Sequence, residues 1–386
     1  MIDVEQLALQ RSRYPELSDA DFRFYLQQVD GRQRTERKLP TFAQRADWWY
    51  PVRLSCEQCS SELSAQRKAQ LLLQHPALTN RATQSVHCVD LTGGYGVDAY
   101  FLSQTFGTVD YIERDTELCR IATHNFSRYA PNIHIHNTTA EDFLSTMSPV
   151  DILCLDPARR NKNGGKVFKL EDCEPNVLQL LPLLCEKAQV LLLKSSPMLD
   201  ITAALRSLHL PTWDVHVVAL DNEVKEVLLL TAATTDGQLN ALNIRTHEDT
   251  EPHYDLLQVP LSAEHSATPT YADHIGQYLY EPNAAILKAG LYNTVSQHFN
   301  LYKLAPNTHL YTSDTLIPNF FGRVWKIDSP DIYTKSLSQA NVLTRNYPLT
   351  PDQLKKKLHL RDGGEHYLIG TRLASHPILL TASRVQ

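Results

Sequence analysis

The sequence predicts an α/β protein: an open, mostly parallel sheet, with a helical region before it and small α+β modules after it. Three observations carry this. Between residues 85 and 235, short apolar runs alternate with segments of helical period, the pattern of strands joined by crossover helices. The first run, Val86 to Leu91, ends in an acid and a glycine-rich turn, Asp90-Leu91-Thr92-Gly93-Gly94-Tyr95-Gly96. The last two runs, Asp214 to Leu220 and Val227 to Ala232, are separated by only six residues, too few for a crossover helix, so they form an antiparallel hairpin.

Composition bounds the rest. A chain of 386 residues exceeds one ordinary domain. Charged residues at 21% and hydrophobic residues at 42% describe a soluble globular protein. The net charge of -6 hides an asymmetry, because residues 281–386 hold 12 Lys and Arg against 7 Asp and Glu, a net of +5. A basic C-terminal part suits a polyanionic partner. Seven cysteines, an odd number without framework spacing, indicate a reducing, cytoplasmic setting. Cys56 and Cys59 form a lone C-x-x-C with no second pair at zinc spacing; they are read as packing on a helix, and no metal is expected. Met1 to Arg13 is polar, and the apolar run Val177 to Leu193 is broken by Pro182, Glu186 and Lys187, so no membrane span is expected.

The elements follow in order. Asp19 to Gln28 has helical spacing behind a Ser18 cap, Trp48-Trp49-Tyr50-Pro51 is an aromatic knot read as core, and Glu57 to Gln74 is one helix. A helix starts near Val97, and strands run over Thr108 to Ile112, Ile133 to His136, Val150 to Leu155 and Val190 to Leu193. Residues 236–280 are polar and rich in Thr, Asn and Pro, with one hairpin of Leu242 to Ile244 and Leu256 to Val259. A helix over Ala284 to His298 precedes strands at Leu301 to Leu304 and Leu310 to Thr312. A final unit opens at Gly322 to Ile327 and contains strand Asn341 to Arg345, helix Pro351 to Leu358 and strands Tyr367 to Leu373 and Ile378 to Ser383.

Three strand ends carry acids, and in an open parallel sheet those ends form one crevice where ligands bind. Asp90 and the turn Thr92, Gly93, Gly94 and Gly96 let backbone approach a ligand closely. Glu113 follows about 20 residues after the turn, the spacing of an acid that accepts from both ribose hydroxyls. Glu141 or Asp142 is placed to accept from an adenine amine. The turn contains no lysine for phosphate, so S-adenosylmethionine fits: ribose on Glu113, tail ammonium near Asp90, tail carboxylate on the turn N–H groups. The fourth strand ends in Asp156-Pro157-Ala158-Arg159-Arg160. The Asp156 carboxylate and Pro157 carbonyl can accept both N–H bonds of an exocyclic amine, aiming its lone pair at a methyl donor. Arg159 stands where amino-methylating enzymes of this kind carry an aromatic, and a guanidinium can stack on a base or hold a phosphate. Arg160, Lys162, Lys166 and Lys169 form a basic loop that reads as a grip on substrate phosphates. Lys194-Ser195-Ser196-Pro197 lacks the cysteine that covalent pyrimidine methylation needs.

Leu54 to Leu63, Asp90 to Asp98, Asp156 to Arg160 and Tyr280-Glu281-Pro282-Asn283-Ala284-Ala285-Ile286-Leu287-Lys288-Ala289-Gly290 resemble bacterial class I methyltransferases with a ferredoxin-like insert and a C-terminal THUMP-like domain. The resemblance runs from about Phe42 to the end. It implies a Rossmann-like seven-stranded sheet, S-adenosylmethionine as cofactor and an RNA substrate, tRNA or rRNA. It divides the chain into a helical region (1–60), a methyltransferase domain (61–235), a linker with a hairpin (236–280), a ferredoxin-like domain (281–322) and a THUMP-like domain (323–386). Gln58 and Ser61 are possible contacts to the methionine end of the cofactor. Three other readings compete, one of them a protein or small-molecule methyltransferase, which the basic C-terminal part makes less natural. Gly94-x-Gly96-x-x-Ala99 satisfies a permissive dinucleotide fingerprint, which an oxidoreductase would use, but the Asp-Pro turn and the terminal hairpin oppose it. A non-catalytic RNA-binding module is opposed by the intact Asp156-Pro157.

Overall fold

A computed structural model describes residues 3–159, 170–209, 212–246, 251–329 and 337–385, and the chain forms two compact units. The first unit contains residues 1–213 and 228–235; the second contains residues 214–227 and 236–386.

The first unit opens with helices α1 (Val4–Ala8), α2 (Asp19–Thr35), α3 (Pro40–Ala43), α4 (Arg53–Gln58) and α5 (Glu62–Leu73). Ser18 caps α2, accepting from the Asp21 N–H. The single helix read over Glu57 to Gln74 is divided: α4 ends at Gln58, and Ser61 starts α5 by accepting from the Ser64 N–H. Its short hydroxyl competes for backbone donors and so favours a cap over a helix interior. The aromatic knot is core. Trp48 stacks on Phe42 at 4.0 Å, Trp49 stacks on His124 at 3.6 Å, and the Trp48 indole donates to the Tyr95 hydroxyl at 2.9 Å. Cys56 is buried in α4, and burial pushes its thiol up to about 12, away from the thiolate character of a redox or metal ligand.

The strands then alternate with helices: β1 (His87–Asp90), α6 (Val97–Ser103), β2 (Thr108–Glu113), α7 (Thr116–Tyr129), β3 (Ile133–Asn137), α8 (Ala140–Thr146) and β4 (Val150–Leu155). Next come the short strands β5 (Ala158–Arg159) and β6 (Cys173–Glu174), then α9 (Val177–Lys187), β7 (Ala188–Ser195), α10 (Ile201–Leu208), β8 (Asp214–Leu220) and β9 (Glu223–Ala232). The first unit's sheet has the order β9-β7-β4-β1-β2-β3, with β7 through β3 parallel. Every residue of β4 is buried, as expected of a central strand covered on both faces.

β9 belongs to both units. It turns back from β8 through Asp221 and Asn222, whose φ of 48° and 65° make the two-residue turn that right-twisted antiparallel strands favour. In the second unit the stretch read as a linker with a hairpin carries β10 (Gln238–Arg245) and β11 (His253–Pro260). β10 lies parallel to β8, and β11 antiparallel to β10. The cause is visible in burial: β10 hides Leu239 through Ile244 continuously, including Asn240 and Asn243, whose side chains hydrogen-bond within the sheet. Polar composition hid the full length of a strand read only over Leu242 to Ile244.

After α11 (Ala263–Ser266) come β12 (Tyr278–Pro282), α12 (Ala284–Ala289), α13 (Tyr292–His298), β13 (Tyr302–Ala305), β14 (Thr308–Ser313), β15 (Gly322–Ser329), β16 (Asn341–Thr344), α14 (Pro351–Leu358), β17 (His366–Leu373) and β18 (His376–Arg384). They build a seven-stranded sheet in the order β13-β14-β12-β15-β18-β17-β16. The helix expected over Ala284 to His298 is broken at Gly290, whose φ of 75° closes α12 with a left-handed residue. Glu281, 3% exposed, ion-pairs with both Arg323 and Arg345.

Candidate active site

The glycine-rich turn leaves β1 and enters α6 on a path fixed by short bonds. The Gly93 N–H donates to the Ile112 carbonyl at 2.8 Å, the Gly94 N–H to Glu113 Oε2 at 2.9 Å, and the Gly96 N–H to the Gly93 carbonyl at 2.8 Å. The Thr92 N–H donates to Asp90 Oδ1 at 3.2 Å, and the Tyr111 hydroxyl donates to the Gly94 carbonyl at 2.6 Å. A Cβ on Gly93 would lie 2.2 Å from the Tyr111 ring, and Gly96 holds a φ of 81°, so each glycine is needed for a different reason. The N–H groups expected to meet a ligand carboxylate are thus already donating within the protein, and a ligand there would share them.

Glu113 ends β2. Besides Gly94, it takes the Asp115 N–H at 2.8 Å on Oε1. Asp90 ends β1 and is 5% exposed. Burial, then the neighbouring Asp98 carboxylate, push it up to about 7. Asp98, in the first turn of α6, faces Lys68 of α5 at 2.8 Å and accepts from Ser60 Oγ at 3.0 Å. Burial would raise it, but the Lys68 and Lys194 ammonium groups prevail and hold it below the ordinary aspartate value. Asp98 Oδ1 is buried with no hydrogen-bond partner. Lys68, Asp90, Asp98, Cys154, Asp156 and Lys194 enclose a cavity of about 20 Å³, room for one water-sized group.

The Asp-Pro turn begins where β4 ends. The Asp156 N–H donates to Thr92 Oγ1 at 2.7 Å, so the Asp-Pro turn hangs on the glycine-rich turn. The Asp156 carboxylate ion-pairs with Lys194 near the end of β7. Pro157 is buried beside it. Arg159 forms the short ladder with Cys173, and Ala158 pairs with Glu174. Glu174 in turn meets Arg114, the residue after Glu113, at 2.6 Å. The Arg159 side chain and the residues Arg160, Lys162, Lys166 and Lys169 lie outside the described residues. Glu141 and Asp142 are both exposed in the first turn of α8, behind a Thr139 cap, and nothing distinguishes them as adenine partners.

Ser61 is spent on the α5 cap. Sequence reasoning missed Lys68, Asp98, Lys194 and the hydroxyl role of Thr92. Asp98 and Thr92 lay inside the motif already singled out, and Lys194 in a tetrapeptide inspected only for cysteine. Among the described residues no group of three or more metal-ligating side chains is assembled, and no helix is long and apolar enough to cross a membrane.

Comparison with known proteins adds the family context. Residues 278–320 match a family model described as a ferredoxin-like domain, and residues 332–384 match one described as THUMP domain-like. A crystal structure from Porphyromonas gingivalis W83, provisionally named a methyltransferase, is 29% identical with a TM-score of 0.82, and the match covers 96% of this chain and 92% of that one. The N-terminal domain of human METTL16, solved with SAH, is 13% identical over 44% of this chain and 69% of its own, with a TM-score of 0.34. An rRNA methylase from Streptococcus thermophilus is 13% identical over 42% of this chain and 94% of its own, with a TM-score of 0.31. These last two overlaps are too loose to carry an argument. No curated protein matches the chain. Over nearly its whole length the chain thus has the class I methyltransferase fold of the Porphyromonas structure, and its C-terminal part is similar to ferredoxin-like and THUMP domain-like models.

Proposed function

We propose that this chain uses S-adenosylmethionine to methylate a nitrogen of an RNA base by direct in-line transfer. The observation that carries the reading is the hydrogen bond from the Asp156 N–H to Thr92 Oγ1, which ties the Asp-Pro turn to the glycine-rich turn. The donor set suits the cofactor: a strand-end glutamate for a ribose diol, and a buried aspartate with an unpartnered carboxylate oxygen nearby for an ammonium. When bound, the cofactor supplies a methyl group already activated on a sulfonium. The protein's task is then to hold and desolvate the acceptor. Asp156 and the Pro157 carbonyl accept its N–H bonds and turn its lone pair toward the methyl. Arg159, Arg160, Lys162, Lys166 and Lys169 are assigned to substrate phosphates from their sequence position. The match to a THUMP domain-like model and the net +5 of residues 281–386 support RNA, tRNA or rRNA, as the partner.

Calorimetric titration with S-adenosylmethionine tests the first half. Micromolar binding is expected, weakened about thirtyfold or more in Glu113→Ala, which loses both the ribose acceptor and the Gly94 anchor. Tritium transfer to RNA fractions tests the second. Asp156→Ala is expected to lose about a hundredfold or more in turnover while keeping cofactor affinity within a few-fold; unchanged turnover would remove Asp156 from the chemistry. NADH titration in place of S-adenosylmethionine checks the dinucleotide alternative.

A further inference from the structure

Asp156 does not present a bare carboxylate to an acceptor. Lys194 Nζ pairs with Asp156 Oδ2, and the Lys194 side chain is 16% exposed. The pairing is built into the sheet: β4 and β7 run parallel with Leu155 opposite Leu193, so the residue after each strand core meets its counterpart. From the other side, Thr92 Oγ1 takes the Asp156 backbone N–H at 2.7 Å. Backbone and side chain are therefore fixed by two different elements. The neighbouring charges also form a pair, Lys68 with Asp98 at 2.8 Å, leaving buried Asp90 as the unmatched carboxylate.

We propose that Lys194 is a positioning residue that orients Asp156 and balances its charge, and that the acceptor is consequently an uncharged exocyclic amine of a nucleobase rather than an ammonium such as a lysine side chain. This rests on the methyltransferase reading above. An ammonium acceptor needs a net negative site to attract it and a base to expose its lone pair before reaction. A carboxylate matched by an adjacent ammonium offers the first weakly and is a poor candidate for the second. A nucleobase amine is uncharged at neutral pH, so it needs only orientation: one N–H on Asp156 Oδ1, with Oδ2 held by Lys194. In the transfer, the new N–C bond forms as the S–C bond breaks, the sulfur keeps the bonding pair, and the surplus N–H proton leaves to water.

The test uses the full chain with total RNA from a strain lacking the gene, a lysine-rich peptide as rival acceptor, and tritiated S-adenosylmethionine. Lys194→Met is expected to lower kcat about a hundredfold with apparent KM for RNA and calorimetric Kd for the cofactor each within about threefold. Lys194→Arg, which keeps the charge, is expected to recover at least about tenfold of that loss. Thermal melting of both variants identifies a folding failure, and the Arg variant then decides. Equal kcat in wild type and Lys194→Met, or equal loss in the Met and Arg variants at wild-type melting temperature, overturns the positioning role. Label in the peptide rather than the RNA overturns the acceptor class. Wild-type protein that labels no RNA at all overturns the reaction itself, and the inference with it.

Discussion

Asp90 and Glu113 are both strand-end acids, and the fold gives them opposite surroundings. Glu113 takes two backbone N–H bonds at a half-exposed position, whereas Asp90 is buried beside other carboxylates and is pushed up to about 7. That difference predicts a pH dependence. An ammonium is attracted to Asp90 only when the carboxylate is ionised. Because its value in the folded protein is raised, that form is present above about 7 and is lost as pH falls through it. Cofactor affinity measured by calorimetry should therefore drop as pH falls from 8 to 6, approaching about tenfold per unit at the acid end, with proton release on binding there; Asp90→Asn should bind weakly and without that slope. Both acids were legible in the sequence, because a glycine-rich turn and an acid one strand later are local signals. The Lys68–Asp98 and Lys194–Asp156 pairs were not, since they join residues 30 and 38 apart that only the sheet brings together. The same holds for His136, which shares the Asp110 carboxylate with His87 across three strands.

Alternation of strand and helix predicted the elements of the first unit well, because crossover helices and buried strands have distinct periods. Two kinds of element escaped. Helix breaks at Ser61 and Gly290 depend on single capping residues inside otherwise continuous patterns. The hairpin read at Leu242 to Ile244 and Leu256 to Val259 is present, but its strands β10 and β11 run longer than read, because Asn240, Asn243 and Asp255 are buried and their polarity is answered by hydrogen bonds no periodicity reveals. The turn between β1 and α6 is the element most sensitive to substitution. A Cβ at Gly96 would meet the Phe126 ring at 2.5 Å in addition to the strained φ. Gly96→Ala is expected to cost about 1–3 kcal/mol in chemical denaturation and to weaken cofactor binding in parallel. Full stability in that variant would mean the turn relaxes freely.

At the scale of the whole molecule, the chain joins a parallel sheet that positions strand-end acids to a second, mostly antiparallel sheet with its own core of Leu279, Trp325, Ile369 and Leu380. The motif around Glu281, which the sequence marked without explaining, is the internal anchor of that second sheet: one buried carboxylate holds Arg323 of β15 and Arg345 beyond β16. Glu281→Ala strands two guanidinium groups together. Allowing for their partial exposure, it should lower the stability of the C-terminal part by about 2–3 kcal/mol, read as a lower or split thermal transition. A single unshifted transition would show that the arginines find other partners. The two-residue ladder of β5 and β6 has a different kind of reach. It pairs Ala158 and Arg159, just past Asp156, with Glu174 and Cys173, and Glu174 is clasped to Arg114 beside Glu113. The ends of two strands, β2 and β4, are thereby riveted to one another through a bond that neither strand makes itself, so a change at Arg114 or Glu174 would be felt at both.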